Sequence, residues 1–426
     1  MFYVMKSIWK QGRFAMLAMG ALPLYSLTNV FWMAQFGTVE MAATAIFFPL
    51  LLLFAASGTL WGMGGNILQQ RYRSQADSPE PARIVNTTWI GGTLTLLALL
   101  ASGELLLTYL LPLLGATVET TTLASAYGRI YIVAAFLHGW NLLMQNILSG
   151  KGLANSATRI MTVTLLLGTL LSPLPIFIFS AGPLGAAKVF FAVSLLGTVL
   201  LLWQLRQARL LPDSLTAIDI VTVKQLLSIG WRPFSLQGMG ALVLAVTNSV
   251  VAWYGLIPIA AVSVVMRHVA LVTMLTLGLS KGYAKLLASH LQQGNQHSAR
   301  KLTRTAMVTM SLLVIMLGTG IMFASPAIIA AFIDIPQAIS FASVGMKLVF
   351  ASVLLAGIDS VITHHFQLTG KSKRLFAPRF ILQGLLYFPL IPVFIAYGGI
   401  LGIPAAIMAT KMLSTLGSLY VWCKNR

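Results

Sequence analysis

The sequence predicts an all-α polytopic membrane protein with twelve transmembrane helices in two pseudo-symmetric six-helix bundles. Three observations carry this. The chain of 426 residues is 58% hydrophobic and only 9% charged, far above the roughly 45–50% apolar content of soluble domains. Its apolar runs last about 20 residues, the length a helix needs to cross a bilayer, without the ten-residue alternation of a membrane barrel. Finally, the second half repeats polar and glycine positions of the first at a nearly constant offset.

The runs fall at about 14–34, 43–67, 88–111, 126–148, 160–179, 185–205, 233–253, 260–280, 305–323, 344–367, 377–396 and 402–422. The first follows Lys6, Lys10 and Arg13 but is too long for a signal peptide and ends at no small-residue cleavage site. Of the 28 basic residues, all but Arg129, Lys188, Arg267, Lys347 and Lys411 flank the spans on one side. By the positive-inside rule that side is the cytoplasm, and both termini lie there. This accounts for the formal charge of +19 without nucleic acid. The lone cysteine, Cys423, excludes disulfides and a cysteine metal site.

A connection from about 206 to 232, containing Pro212, Asp213, Ser214 and Asp219, divides an N-lobe, residues 1–210, from a C-lobe, residues 211–426. Thr28-Asn29, Gly37 and Ala42 return as Thr247-Asn248, Gly255 and Ala260; Arg129, Gly139, Asn141 and Gly152 return as Lys347, Gly357, Asp359 and Gly370, always 218 residues on. Gly182 to Gly185 meets Gly399 to Gly402 at 217. Six spans per half give both halves the same orientation, so the symmetry axis runs along the membrane normal and a substrate would sit between lobes near the midplane.

Only nine residues are acidic. Glu40, Asp77, Glu80, Glu119, Asp213, Asp219 and Asp334 fall in loops or at span ends, and Glu104 stands near the outer end of the third span. Asp359 is left inside the tenth. A charge there costs roughly 2.5–3.5 kcal/mol on insertion scales, which makes an ionisable residue at that depth a functional candidate. Its repeat mate is Asn141, and the corresponding pair in the first and seventh spans is Asn29 and Asn248. Buried amides also serve as interhelical hydrogen-bond glue. Arg267, Lys188 and Lys411 are the bases inside spans, and Arg267, in the same lobe, is the expected partner of Asp359. An acid disfavoured as a charge by its apolar surroundings and favoured by a nearby base can take up and release a cation.

His364 and His365 are adjacent and point about 100° apart on a helix, so no shared metal is expected. The TGKSK segment beginning at Thr369 lacks the spacing of a phosphate loop. Paired carboxylates, or a nucleophile with its base, are not visible within the spans, which argues against an enzyme. Trp32, Trp61, Trp140, Trp231 and Trp253 line a cavity or mark the membrane interface.

The stretches LPLYSLTNVFWMAQFGTVEMAATAIFFPL, SAGPLGAAKVFFAVS, SIGWRPFSLQGMGALVLAVTNSVVAWYGLIPIAA and LLAGIDSVITHHFQLTGKSK together resemble the multidrug and toxic compound extrusion (MATE) family, within the multidrug/oligosaccharidyl-lipid/polysaccharide exporter superfamily. The resemblance spans nearly the whole chain. It implies secondary active efflux of small amphipathic drugs or metabolites by alternating access, coupled to entry of H+ or Na+, with no other cofactor, by a monomer in a bacterial inner membrane. The family's tenth-span aspartate falls on Asp359, while its first-span aspartate falls on Asn29 and its seventh-span glutamate has no counterpart around Gln237 to Ala241. Coupling is therefore expected in the C-lobe. The basic balance of Lys188, Arg267 and Lys411 leaves, as the alternative, a flippase or exporter of an anionic lipid-linked or zwitterionic substrate.

Overall fold

In lipid no water pairs with backbone N–H and C=O groups, so a chain this apolar has to satisfy them within helices. The computed structural model describes residues 2–72, 80–178, 181–211 and 219–424. Arg73, Asp77, Ser180, Pro212, Asp213, Ser214 and Arg426 lie outside the described residues. Among the described residues the regular elements are helical, and each expected span has its helix.

In chain order these are α1 (Phe2–Ala34), α2 (Thr38–Ala45), α3 (Phe48–Arg71), α4 (Glu80–Leu105), α5 (Leu107–Leu113), α6 (Val118–Gly150), α7 (Ala154–Leu171) with a π-helical end at Leu174–Ile178, α8 (Gly182–Gln207) and α9 (Ile220–Ala252). The second half holds α10 (Leu256–Gln292), α11 (Gln296–Ala330), α12 (Pro336–Val353), α13 (Ala356–Leu368), α14 (Lys373–Arg379), a π-helical segment Phe380–Leu385, α15 (Tyr387–Gly398) and α16 (Gly402–Lys424). Ten stretches are long and apolar enough to cross a membrane; Lys373–Lys424 is one of them and contains the eleventh and twelfth expected spans. The fourth expected span is the 33-residue α6.

Two differences from the expected boundaries have local causes. The second span breaks between α2 and α3, where Pro49 stands in the first turn and cannot donate to the preceding turn. The connection expected at 206–232 is largely helical, because α9 begins at Ile220. Asp219 caps it, accepting from the N–H of Val221 at 3.1 Å and from the N–H and hydroxyl of Thr222 at 3.0 and 2.7 Å. These bonds, the Thr222 hydroxyl foremost, hold the Asp219 carboxyl below the usual carboxylate range.

The sequence repeat reappears in the backbone. Gly37 and Gly255, Gly152 and Gly370, and Gly182 and Gly399 all have positive φ, between 52° and 134°. Each turns the chain at a helix end in a conformation that a Cβ opposes. Side-chain hydroxyls are satisfied locally, as where Thr95 donates to Gly91 O, Thr276 to Val272 O and Thr410 to Ala406 O. Apolar side chains such as Leu94, Leu170, Val199, Leu312 and Met316 remain exposed, and lipid is the solvent that accepts them.

The helices form two compact units. One is Val39–Ala252; the other combines Met1–Thr38 with Trp253–Arg426. They differ from the expected lobes by one helix each, since α1 groups with the second half and α9 with the first. Close glycine contacts explain the exchange. In the second unit, a Cβ at Gly12 of α1 would strike the carbonyl oxygen of Leu279 on α10, and one at Gly282 that of Ile8. In the first, a Cβ at Gly230 of α9 would strike the carbonyl of Leu60 on α3, and one at Gly64 would lie 2.6 Å from that of Leu226. Gly230 is 218 residues from Gly12, Gly282 from Gly64 and Leu226 from Ile8, so the same seam of small residues is built twice.

Within Val39–Ala252 the core gathers Trp61, Leu68, Trp89, Leu143, Ile147 and Leu205 from α3, α4, α6 and α8. Within the other unit it gathers Ile8, Leu279, Tyr283, Leu302, Met310 and Val361 from α1, α10, α11 and α13.

Candidate functional site

Asp359 does not sit in mid-helix as the apolar run predicts. The tenth span breaks at Leu354 and Leu355, and α13 restarts at Ala356, which puts Asp359 in its first turn. There the positive end of the helix dipole favours a carboxylate. The break accompanies tight packing on α11: Leu354 lies against Gly318, where a Cβ would come within 2.9 Å of it, and a Cβ at Gly357 would lie 2.6 Å from the Met310 backbone.

The cation that meets Asp359 is Arg379, the last residue of α14, rather than the expected Arg267. Arg379 Nη2 donates to Asp359 Oδ1 at 2.6 Å and to Thr363 Oγ1 at 2.7 Å, while its Nε donates to Ser418 Oγ at 3.3 Å on α16. Thr363, one turn after Asp359, donates to the Asp359 carbonyl at 2.6 Å. The pair is mostly enclosed, its side chains being 12% and 31% exposed. Lys411 of α16 lies close enough to act electrostatically on Asp359. One acid thus faces two bases, and a π-helical turn follows Arg379 directly. Such turns concentrate at functional sites because they let a helix change register locally.

The other candidates separate into clear groups. Arg267 is buried on α10, donating to Ser26 Oγ at 3.0 Å and to Ser263 O at 3.2 Å. One turn from Ser26, the Oδ1 of Asn29 is buried without a hydrogen-bond partner. Asn141 is 1% exposed; its amide donates to Ser194 O and its oxygen accepts from Thr198, both at 2.8 Å. Asn248 is buried on α9, with its carbonyl against Gly115. Lys188 is exposed on α8. Glu104 faces Arg129 at 3.8 Å.

Arg379 and Thr363 were missed by sequence reasoning, which counted Arg379 among the positive-inside charges. A signal was present: Asp359 and Arg379 stand eleven and nine residues either side of Gly370, so a tight helical turn there brings them level. Thr363 follows Asp359 at i+4, on the same helix face.

Comparison with known proteins follows this geometry closely in extent. The family model MatE matches residues 15–174 and 239–393. The multidrug export protein MepA of Staphylococcus saprophyticus is 20% identical over 402 residues, covering 93% of this chain and 89% of MepA. Among solved structures, the inward-facing conformation of a multidrug resistance MATE family transporter of the MOP superfamily aligns with TM-score 0.80 at 19% identity, covering 96% of this chain and 98% of that one. An outward-facing conformation described in the same words aligns with TM-score 0.77 at 19% identity, over 99% and 96%. Because the family model matches both halves and most of the length, this chain belongs to the MatE family.

Proposed function

We propose that the chain is a cation-coupled antiporter that exports small amphipathic drugs or metabolites by alternating access, with Asp359 as the coupling carboxylate. The observation that carries this is the Asp359–Arg379 pair in the first turn of an interrupted apolar helix, with Lys411 within electrostatic reach. An incoming H+ or Na+ competes with both bases for the carboxylate. When it wins, Arg379 loses its counter-ion and the contacts among α13, the π-helical turn and α16 are redistributed. When the cation leaves, the pair closes again. A cycle of this kind links a gradient to a two-state packing change.

Membership of the MatE family and the multidrug export activity named for MepA support drug efflux over an anionic lipid-linked cargo. The lobes that exchange access are residues 1–210 and 211–426, related by the 218-residue repeat, with Asn29, Asn248 and Arg267 as cavity candidates. The basic loops place both termini in the cytoplasm and the protein in a bacterial inner membrane; it works as a monomer.

The test is efflux of a cationic dye from proteoliposomes with an imposed proton or sodium gradient, comparing the wild type with Asp359→Asn. Loss of gradient dependence in the variant is expected. Transport by the variant with undiminished dependence overturns the assignment.

A further inference from the structure

At the basic end of the second half, the last turn of α10, the first turns of α11 and the ends of α13 and α16 enclose a cavity of about 490 Å3. That is the size of a small-molecule site. It is separate from the Asp359 pair: its lining residue His365 lies six positions further along α13, about 9 Å at 1.5 Å per residue.

The chemistry of its walls is one-sided. Arg300 and Arg304, one helical turn apart on α11, present two guanidinium groups on one face, and Lys371 supplies an ammonium from the turn after α13. No Asp or Glu lines the cavity, and among the described residues none of the three cations forms an ion pair. The deeper wall is apolar, with Met307, Phe366 and Trp422.

This wall is fixed by buried hydrogen bonds. Thr303 donates to Ala299 O at 2.8 Å, which leaves its oxygen to accept from the buried Tyr283 at 3.1 Å. Tyr283 in turn accepts from His365 Nδ1 at 3.1 Å. The His365 ring stands edge-on to Trp422, centroids 4.6 Å apart and planes at 85°.

We propose that this cavity binds the phosphate of an amphiphilic anion. Guanidinium groups match phosphate oxygens in bidentate geometry, Lys371 completes the charge, and Trp422, Phe366 and Met307 receive the first carbons of the attached apolar portion. A basic pocket between membrane helices, level with the loops, is placed to take the headgroup of an anionic phospholipid. A soluble phosphate ester offers the same chemistry.

Native mass spectrometry of the purified transporter in detergent distinguishes these sources. The probes are short-chain phosphatidylglycerol, phosphatidylcholine of equal chain length and glycerol 3-phosphate. The wild type is expected to bind phosphatidylglycerol at least tenfold more tightly than phosphatidylcholine. Arg300→Gln with Arg304→Gln abolishes that preference, and Lys371→Gln weakens it several-fold. Lys373→Gln with Arg374→Gln removes the same charge nearby but outside the cavity, and binding stays within twofold of wild type. Arg300→Lys with Arg304→Lys keeps the charge and falls between, which separates lost recognition from lost folding. Equally tight binding of glycerol 3-phosphate, with the same dependence on Arg300 and Arg304, supports the site and assigns it to a soluble ester. Equal weakening by both Gln doubles, or no preference in the wild type, reduces the cavity to diffuse surface charge and overturns the proposal.

Discussion

Asn141 and Asp359 occupy the same place in the two halves, 218 residues apart, yet Asn141 is held by neutral groups and Asp359 by a cation. The substitution extends to their neighbours. Ser194 and Thr198 beside Asn141 correspond, at 217, to Lys411 and Thr415 in the half that holds Asp359. The hydroxyls of Thr198 and Thr415 each donate to the carbonyl four residues earlier, that of Ser194 and that of Lys411. One framework thus carries a hydrogen-bonded joint in one half and an ion cluster in the other.

A double-mutant cycle separates the Asp359–Arg379 pair from its surroundings. Asp359→Asn and Arg379→Met each leave a partner of the pair without its counter-ion, so each is expected to destabilise the protein. The double variant should recover part of the loss, with a coupling energy of about 1–3 kcal/mol. Unfolding in mixed micelles measures it, and strictly additive effects would remove the pair from the account.

Asn141→Leu tests the neutral counterpart. It deletes two hydrogen bonds at a position 1% exposed, and membrane interhelical bonds are worth about 0.6 kcal/mol on average. A modest fall in thermal stability is expected, with the gradient dependence of dye efflux intact. Loss of coupling with unchanged stability would give Asn141 an ionic role after all.

The glycine seams predict a position-specific cost. Gly230→Ala drives a methyl into the Leu60 carbonyl and Gly12→Ala into that of Leu279, so both should lower stability by about 1–3 kcal/mol. Gly240, also on α9, has nothing within 4 Å of an added Cβ. Gly240→Ala should be neutral or stabilising by about 0.5–1 kcal/mol through helix propensity. Thermal melts of the three variants side by side make the comparison.

Asp219 gives the α9 cap a pH dependence. Its folded-state carboxyl is shifted down by the Thr222 hydroxyl and the Val221 and Thr222 N–H groups. Its stabilisation is therefore present above the unfolded-state value and fades as pH falls through the lower folded-state value. The melting-temperature gap between the wild type and Asp219→Ala should be widest near neutrality and shrink in acid. A gap that widens in acid contradicts the sign.

Hydropathy made the helices legible because lipid enforces one backbone solution on every apolar run. The repeat was legible because the glycines that turn the chain, Gly37 and Gly255 or Gly152 and Gly370, have no substitute at positive φ. The break at Leu354 and Leu355 was not, since neither Pro nor Gly marks it and the contacts that accompany it come from Gly318 on another helix. Asp359 stood out as an acid isolated in apolar sequence. Arg379 was hidden by abundance: several basic residues follow the same span, and only the fold decides which one turns inward.

The exchange of α1 and α9 orders the birth of the molecule. Val39–Ala252 is continuous, so its helices can all pack once α9 leaves the ribosome. α1 is made first but waits for α10, because Ile8 rests on Gly282. At roughly 5–20 residues per second that interval is on the order of 15–55 s. During it the earliest helix stands in the bilayer with Gly12 facing lipid, the seam half made.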